Sequence, residues 1–210
     1  GDGDVDLALT TNTADTLAWY ENDGAQSFSE RLVANVVNAK SVVVADGDGD
    51  GDVDLFVAVR GASELVWYED DGRQNWEKIV IADDAYGAYT ICPTDLDGDG
   101  DIDVVGASKE KDEIPWYEND GAMGFGEHMV STTAVGVRYS IVADMDSDAD
   151  LDVVAALAGR DCTVWYENGC ENQDYAPATS LLALGLEASS APDSLMTIIA
   201  EAEGYDDDVD

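Results

Sequence analysis

Four copies of one aspartate-rich segment recur along the chain with almost no drift in spacing. They read Gly1-Asp-Gly-Asp-Val-Asp-Leu7, Asp46-Gly-Asp-Gly-Asp-Gly-Asp-Val-Asp-Leu55, Asp95-Leu-Asp-Gly-Asp-Gly-Asp-Ile-Asp-Val104 and Asp144-Met-Asp-Ser-Asp-Ala-Asp-Leu-Asp-Val153. Their last aspartates stand at 6, 54, 103 and 152, so the steps are 48, 49 and 49 residues. Trp-Tyr pairs beginning at Trp19, Trp67, Trp116 and Trp165 keep the same period. A constant period near 50 means one supersecondary unit used repeatedly, each copy burying its apolar faces against the next.

The spacing of the acids makes each segment a candidate ligand loop for a hard cation. In the second copy Asp46, Asp48, Asp50 and Asp54 supply carboxylates at positions 1, 3, 5 and 9, and Asp52 offers its backbone carbonyl at position 7. The third copy repeats this with Asp95, Asp97, Asp99, Asp101 and Asp103, and the fourth with Asp144, Asp146, Asp148, Asp150 and Asp152. Carboxylates at this density repel one another unless a cation lies between them. Calcium takes six to eight oxygens in a flexible shell, whereas magnesium takes fewer protein ligands and keeps its water, so Ca2+ is the expected ion. Gly49, Gly51, Gly98 and Gly100 provide sharp turns; Ser147 and Ala149 stand at those places in the fourth copy. The first copy starts at the fourth loop position and keeps only Asp2, Asp4 and Asp6, so no site is expected there.

An EF-hand is excluded by position 12, where a bidentate Glu is required and Val57, Gly106 and Ala155 stand. The flanks are short and β-branched: Ser41–Ala45, Thr90–Cys92 and Ser140–Ala143 before the loops, Leu55–Val59, Val104–Gly106 and Val153–Ala156 after them. Such runs read as buried strands, so each loop joins two strands. Leu65–Glu69 and Glu77–Ile81, with Asp70-Asp-Gly72 between them, add a hairpin. Leu17–Glu21 before Asn22-Asp-Gly24 and Trp116–Glu118 before Asn119-Asp-Gly121 are its counterparts. Four strands in about 49 residues is the arithmetic of a propeller blade. The expectation is therefore an all-β chain: a β-propeller of about four four-stranded blades, or a fragment of a larger one, with calcium loops between first and second strands. Pro115 falls in an interior strand and predicts a local bulge.

Tyr86-Gly87, Thr90-Ile-Cys-Pro-Thr-Asp95, the loop, and Val104-Val-Gly-Ala-Ser108 together resemble the FG-GAP repeat of integrin α-chain propellers. The Trp-Tyr-Glu-Asn-Asp-Gly pattern resembles the related VCBS-type repeats of secreted proteins. The resemblance covers residues 1 to about 170. It implies calcium bound at the positions matching 46, 48, 50, 52 and 54, and a role in adhesion or recognition.

Residues 171–210 lose the pattern. Met196-Thr-Ile-Ile-Ala200 followed by Glu201, Glu203 and Asp208-Val-Asp210 echoes Tyr139–Ala143 and the loop after it. Two readings stand: a degenerate fifth repeat that supplies the first strand of the N-terminal blade, or an irregular tail with a helix through Leu181–Ala188.

With 47 acidic and 9 basic residues the formal charge is −38. Eighteen acids lie in the loops, and the others still outnumber the bases by twenty. Such a surface argues against nucleic acid and anionic lipid. The chain has no apolar run of membrane-spanning length and begins inside a motif, which reads as a cut from a longer precursor.

Cys92 aligns with Val43 in an inward strand and reads as a buried thiol. Cys162 and Cys170 bracket a strand that holds them about 25 Å apart, beyond disulfide reach. His128, the single histidine, has no partner of the kind nucleophilic chemistry needs. The Trp-Tyr pairs are expected to pack between blades, whereas Tyr86, Tyr89 and Tyr139 fall where loops are expected and are the candidate sugar-stacking rings.

These readings favour a non-catalytic extracellular binding module for a protein or glycan ligand. The alternative is an accessory or catalytic propeller region of a secreted carbohydrate-active enzyme.

Overall fold

The computed structural model describes residues 3–168 together with the strand at 176–181. Among them the chain forms fifteen β-strands and no helix. Strands β1 (Leu7–Thr11), β2 (Thr16–Asn22) and β3 (Phe28–Asn35) make the first sheet. The second comprises β4 (Ala39–Ala45), β5 (Asp54–Val59), β6 (Glu64–Asp70) and β7 (Trp76–Ala82). The third comprises β8 (Ala88–Thr94), β9 (Asp103–Ser108), β10 (Ile114–Asn119) and β11 (Phe125–Ser131). The fourth comprises β12 (Val137–Ala143), β13 (Asp152–Leu157), β14 (Cys162–Glu167) and β15 (Ala176–Leu181). Every sheet is an antiparallel meander in chain order. The aspartate loops join β4 to β5, β8 to β9 and β12 to β13, between first and second strands as expected. Of residues 171–210, where the repeat pattern is expected to be lost, Ala176–Leu181 form the fourth strand of the fourth sheet; the echo at 196–210, the expected helix beyond Leu181, Cys170 and Asp2 lie outside the described residues.

Period-2 alternation explains how the sheets stack. Leu55, Val57 and Val59 of β5 point into a core shared with Leu17 of the first sheet, while Phe56 and Ala58 point into one shared with Ala88, Ile91 and Val104 of the third. The Trp-Tyr pair divides in the same way. Tyr68 joins the core toward the first sheet; Trp67 stacks on Phe56 at 5.5 Å and meets Phe125 of the third sheet edge-on at 6.5 Å. A third core joins Val105, Ala107 and Trp116 to Val153, Ala155 and Tyr166. Trp67 and Trp116 are each 1% exposed, which makes these rings packing elements. Such cores account for the apolar residues on both faces of each middle strand.

The first strands stand beside one another, β4 next to β8 and β8 next to β12. Between the last two, the Ser140 amide donates to Thr90 Oγ1 at 3.2 Å.

Pro115 lies at a bulge, since Ile114 pairs with Ser131 and Pro115 with Met129. The bulge belongs to the repeat, because equivalent register shifts occur at Leu17/Ala18 and Leu65/Val66, where no proline stands. What Pro115 changes is the other edge. The β9–β10 ladder keeps only Trp116↔Val105 and Tyr117↔Val104, against five pairs between β5 and β6. A residue without an N–H cannot donate to that ladder.

Cys92 and Cys162 are free and half-buried. Burial pushes the Cys92 thiol pKa upward, which makes it less reactive.

Candidate metal centre

Each aspartate loop begins with a first turn held by its own side chains. In the 46–54 loop the Gly51 amide donates to Asp46 Oδ2 at 3.1 Å, the Asp50 amide to Asp48 Oδ1 at 3.2 Å and the Asp52 amide to Asp50 Oδ1 at 2.8 Å. The 95–103 loop repeats all three, with Gly100 to Asp95 at 3.1 Å, Asp99 to Asp97 at 3.1 Å and Asp101 to Asp99 at 2.9 Å. So does the 144–152 loop, at 3.2, 3.3 and 3.2 Å. These turns bring carboxylate oxygens together. One oxygen from each of Asp46, Asp48 and Asp50 lies within 4.8 Å of the others, and the same holds for Asp95, Asp97 and Asp99. In the 144–152 loop the converging set is Asp144, Asp146 and Asp152.

The ninth-position aspartates behave differently from the rest. Asp54, Asp103 and Asp152 are at most 1% exposed. Each holds the loop against its sheet with both oxygens. Asp103 Oδ2 accepts the Leu96 amide at 3.0 Å and Oδ1 the Asn119 amide at 2.8 Å. Asp54 does so for Gly47 and Asp70, both at 2.9 Å, and Asp152 for Met145 and Asn168 at 2.9 and 2.8 Å. These carboxylates tie the loop entrance to the end of the third strand. Each oxygen keeps a second lone pair for an ion. Burial raises the Asp103 carboxyl to about 6, although the two amide donors work against the rise. Burial raises Asp54 as well. Around Asp97, partial burial and the neighbouring Asp99, Glu118 and Asp95 push its carboxyl pKa upward. Charge held in this way is what a divalent cation relieves, so the donor set fits calcium: hard oxygens and three converging carboxylates in each loop, the buried Asp152 being one of the three in the 144–152 loop.

The seventh-position side chains take another role. A Cβ on Gly121 would stand 2.6 Å from Asp101 Oδ2, and one on Gly72 would meet the Asp52 carboxylate. Both glycines have positive φ, +71 and +73°, so the turn after the Trp-Tyr-Glu strand can be nothing larger. By its residues this turn is a hairpin and nothing more. It is also the wall on which the loop rests. The residue that opens it clamps the loop's eighth carbonyl: Asn22 Nδ2 donates to Val5, Asn119 Nδ2 to Ile102 and Asn168 Nδ2 to Leu151, at 3.2, 3.2 and 3.3 Å. Recurrence of Asn after Trp-Tyr-Glu at 22, 119 and 168 was the available signal. Asp70 breaks it, and its Oδ1 is buried without a hydrogen-bond partner among the described residues.

Of the two amide bonds that the ninth-position carboxylate accepts in the other loops, the first segment keeps one, from the Asn22 amide to Asp6 Oδ1 at 2.8 Å, but Asp6 is exposed. Between the 46–54 loop and the next sheet lies an open cleft of about 200 Å³, whose lining includes Gly47, Asp48, Trp67, Asp101, Gly121 and Met123. Of the candidate stacking rings, Tyr86 is in a turn, as expected for a loop, whereas Tyr89 and Tyr139 lie inside β8 and β12. His128 Nε2 is 2.8 Å from Glu118 Oε2 and its ring stacks on Trp116 at 4.5 Å, a packing arrangement.

The left-handed turns anticipated from the glycines are present. Gly51 and Gly100 have φ of 94 and 101°, and Ala149 is held at 81° in their place, with Ser147 at 70°. A Cβ at Gly51 or Gly100 would meet nothing within 4 Å, so the penalty at Ala149 is one of backbone conformation alone. That penalty is about 1–2 kcal/mol. Ala149→Gly is expected to tighten calcium binding in this loop roughly 5- to 30-fold, because the ion holds the turn that the free loop can relax. Site-resolved calorimetry would check it; unchanged affinity would show that the strain persists without the ion.

Comparison with known proteins agrees with this architecture. The FG-GAP-like repeat model matches residues 1–57, 46–106 and 95–155, each span running from one aspartate loop through the next. The chain belongs to the FG-GAP-like repeat family. Among curated proteins no match was found. Among solved structures it is similar to an Agrocybe aegerita lectin described by its specific recognition of non-reducing terminal N-acetylglucosamine. The TM-score is 0.53 at 16% identity, over 81% of this chain and 51% of the lectin, so the chain spans about half the length of that protein. At that identity the likeness is one of fold.

Proposed function

We propose that the four stacked sheets are blades of a calcium-binding β-propeller, and that this region acts outside the cell as a non-catalytic module binding a glycan or protein ligand. The observation that carries the reading is the repetition of one loop geometry in three successive sheets, kept even where Ala149 must adopt a left-handed backbone. Calcium at these loops supplies the positive charge that lets each acidic turn close on its blade. Loops of this exposure suit the millimolar calcium found outside cells. The lectin of similar fold supports a glycan as ligand, and the cleft between the 46–54 loop and the 119–123 turn offers a place beside two loops.

Glycan-array binding by calcium-loaded protein, with no turnover of the bound sugars, is the expected result. Cleavage of a polysaccharide by this isolated chain would replace the reading with that of a carbohydrate-active enzyme.

A further inference from the structure

The nine basic residues of this chain are not spread evenly among its 47 acids. Arg31, Arg60, Lys78 and Lys111 each pair with a carboxylate. The other five, Lys40, Arg73, Lys109, Arg138 and Arg160, have no ion-pair partner among the described residues, and three of them, Lys40, Lys109 and Arg138, converge on one ring. Lys40 Nζ and Lys109 Nζ each lie 5.9 Å from the Tyr89 centroid, and Arg138 Cζ lies 5.5 Å from it. Tyr139 meets Tyr89 edge-on at 6.2 Å and is 59% exposed.

The repeat itself builds this convergence. Lys40, Tyr89 and Arg138 occupy the same position in β4, β8 and β12, the strands that stand side by side. Each is the residue skipped where the ladder shifts register, at Ala39/Ser41, Ala88/Thr90 and Val137/Tyr139. A bulge re-aims the side chain it carries. Here three successive bulges gather at the ends of the first strands away from the aspartate loops. Lys109 follows β9 and reaches the same ring from the neighbouring turn.

Three half-buried cations around one ring repel each other, and a tyrosine face offsets only part of that. In a chain with so many carboxylates, cations left together without one mark a place for an external anion. Arg138 adds a second sign, since its Nε is buried with no acceptor among the described residues. A guanidinium with a free N–H presents a fork suited to a carboxylate or sulfate.

We propose that Lys40, Lys109 and Arg138, with the Tyr89 and Tyr139 rings, form an anion site for the sulfate or carboxylate group of an acidic saccharide. The tyrosines offer a face for the sugar ring beside the charge. The assignment to a saccharide rests on the glycan reading above; the anion site rests on the cation cluster alone.

The test is an NMR titration of the full chain at saturating calcium. The probes are a sulfated tetrasaccharide, its desulfated form and inorganic sulfate. Wild type should bind the sulfated sugar at least about tenfold tighter than the desulfated one, and the Lys40→Gln/Arg138→Gln double variant should lose that difference. Tyr139→Ala should weaken both sugars while leaving inorganic sulfate unchanged. Equal binding of the sulfated sugar by wild type and double variant would overturn the proposal, and desulfated sugar still bound would leave glycan recognition standing. Inorganic sulfate bound at Arg138 with no sugar bound anywhere would overturn the saccharide assignment and the glycan reading together.

Discussion

Chelating calcium at constant ionic strength is expected to lower the melting temperature of this chain by about 8–20 °C. With dissociation constants near 0.1 mM and 1–2 mM free calcium, each loop gains roughly 1.5 kcal/mol by mass action, so three loops together gain about 4–5 kcal/mol. In a domain of this size one kcal/mol moves the midpoint by about 2–4 °C.

The loss should be larger at pH 7 than at pH 5. Burial lifts the folded Asp103 carboxyl to about 6, above its unfolded value. The ion-free fold therefore binds a proton that the unfolded chain releases. That stabilisation is fully present below the unfolded pKa of about 3.9 and is lost as pH rises through about 6. Burial shifts Asp54 in the same direction. Acid thus partly replaces the ion, and it also competes with it. Melting curves at both pH values, with and without chelator, would check this. Curves that coincide at pH 7 would refute calcium stabilisation.

Asp103→Ala is expected to be the most damaging single substitution in the loops. It leaves the amides of Leu96 and Asn119 without their acceptor at a position that is 0% exposed. Each unsatisfied buried donor costs about 1–3 kcal/mol, so the loss is roughly 2–6 kcal/mol, with one ion fewer bound. Asp54→Ala removes the same two bonds from the second sheet and should behave alike. Asp6→Ala should cost far less, since Asp6 is exposed and accepts a single amide. Denaturant unfolding and calorimetric stoichiometry measure the two effects separately. Losses as large at Asp6 as at Asp103 would show that the first segment holds an ion and that the buried anchor is not what matters.

Much of this molecule was legible in its residues. The constant step between Asp54, Asp103 and Asp152, with β-branched runs on either side of each loop, determined three similar sheets and the loop's place between the first two strands of each. The reason is local: strand periodicity and turn chemistry depend on near neighbours in sequence. Even the left-handed turn at Ala149 followed from Gly100 and Gly51 standing one and two repeats earlier. The bulge at Pro115 was legible too, but its cause was not, since the same shift at Leu65/Val66 is visible only in the paired strands.

Other features depended on what long-range packing brings together. The sequence offered four carboxylates per loop as ligands of one kind; only the fold separates Asp103, buried and bonded to two amides, from Asp95, Asp97 and Asp99, whose oxygens converge. Spacing cannot tell which carboxylate will lie under a sheet end sixteen residues away. Tyr89 and Tyr139, placed in loops by their surroundings, sit in strands whose bulges meet only when three sheets are stacked. The convergence of Lys40, Lys109 and Arg138 is of the same kind. These residues are tens of positions apart, and the energy of their proximity exists only once the apolar cores between the sheets have formed.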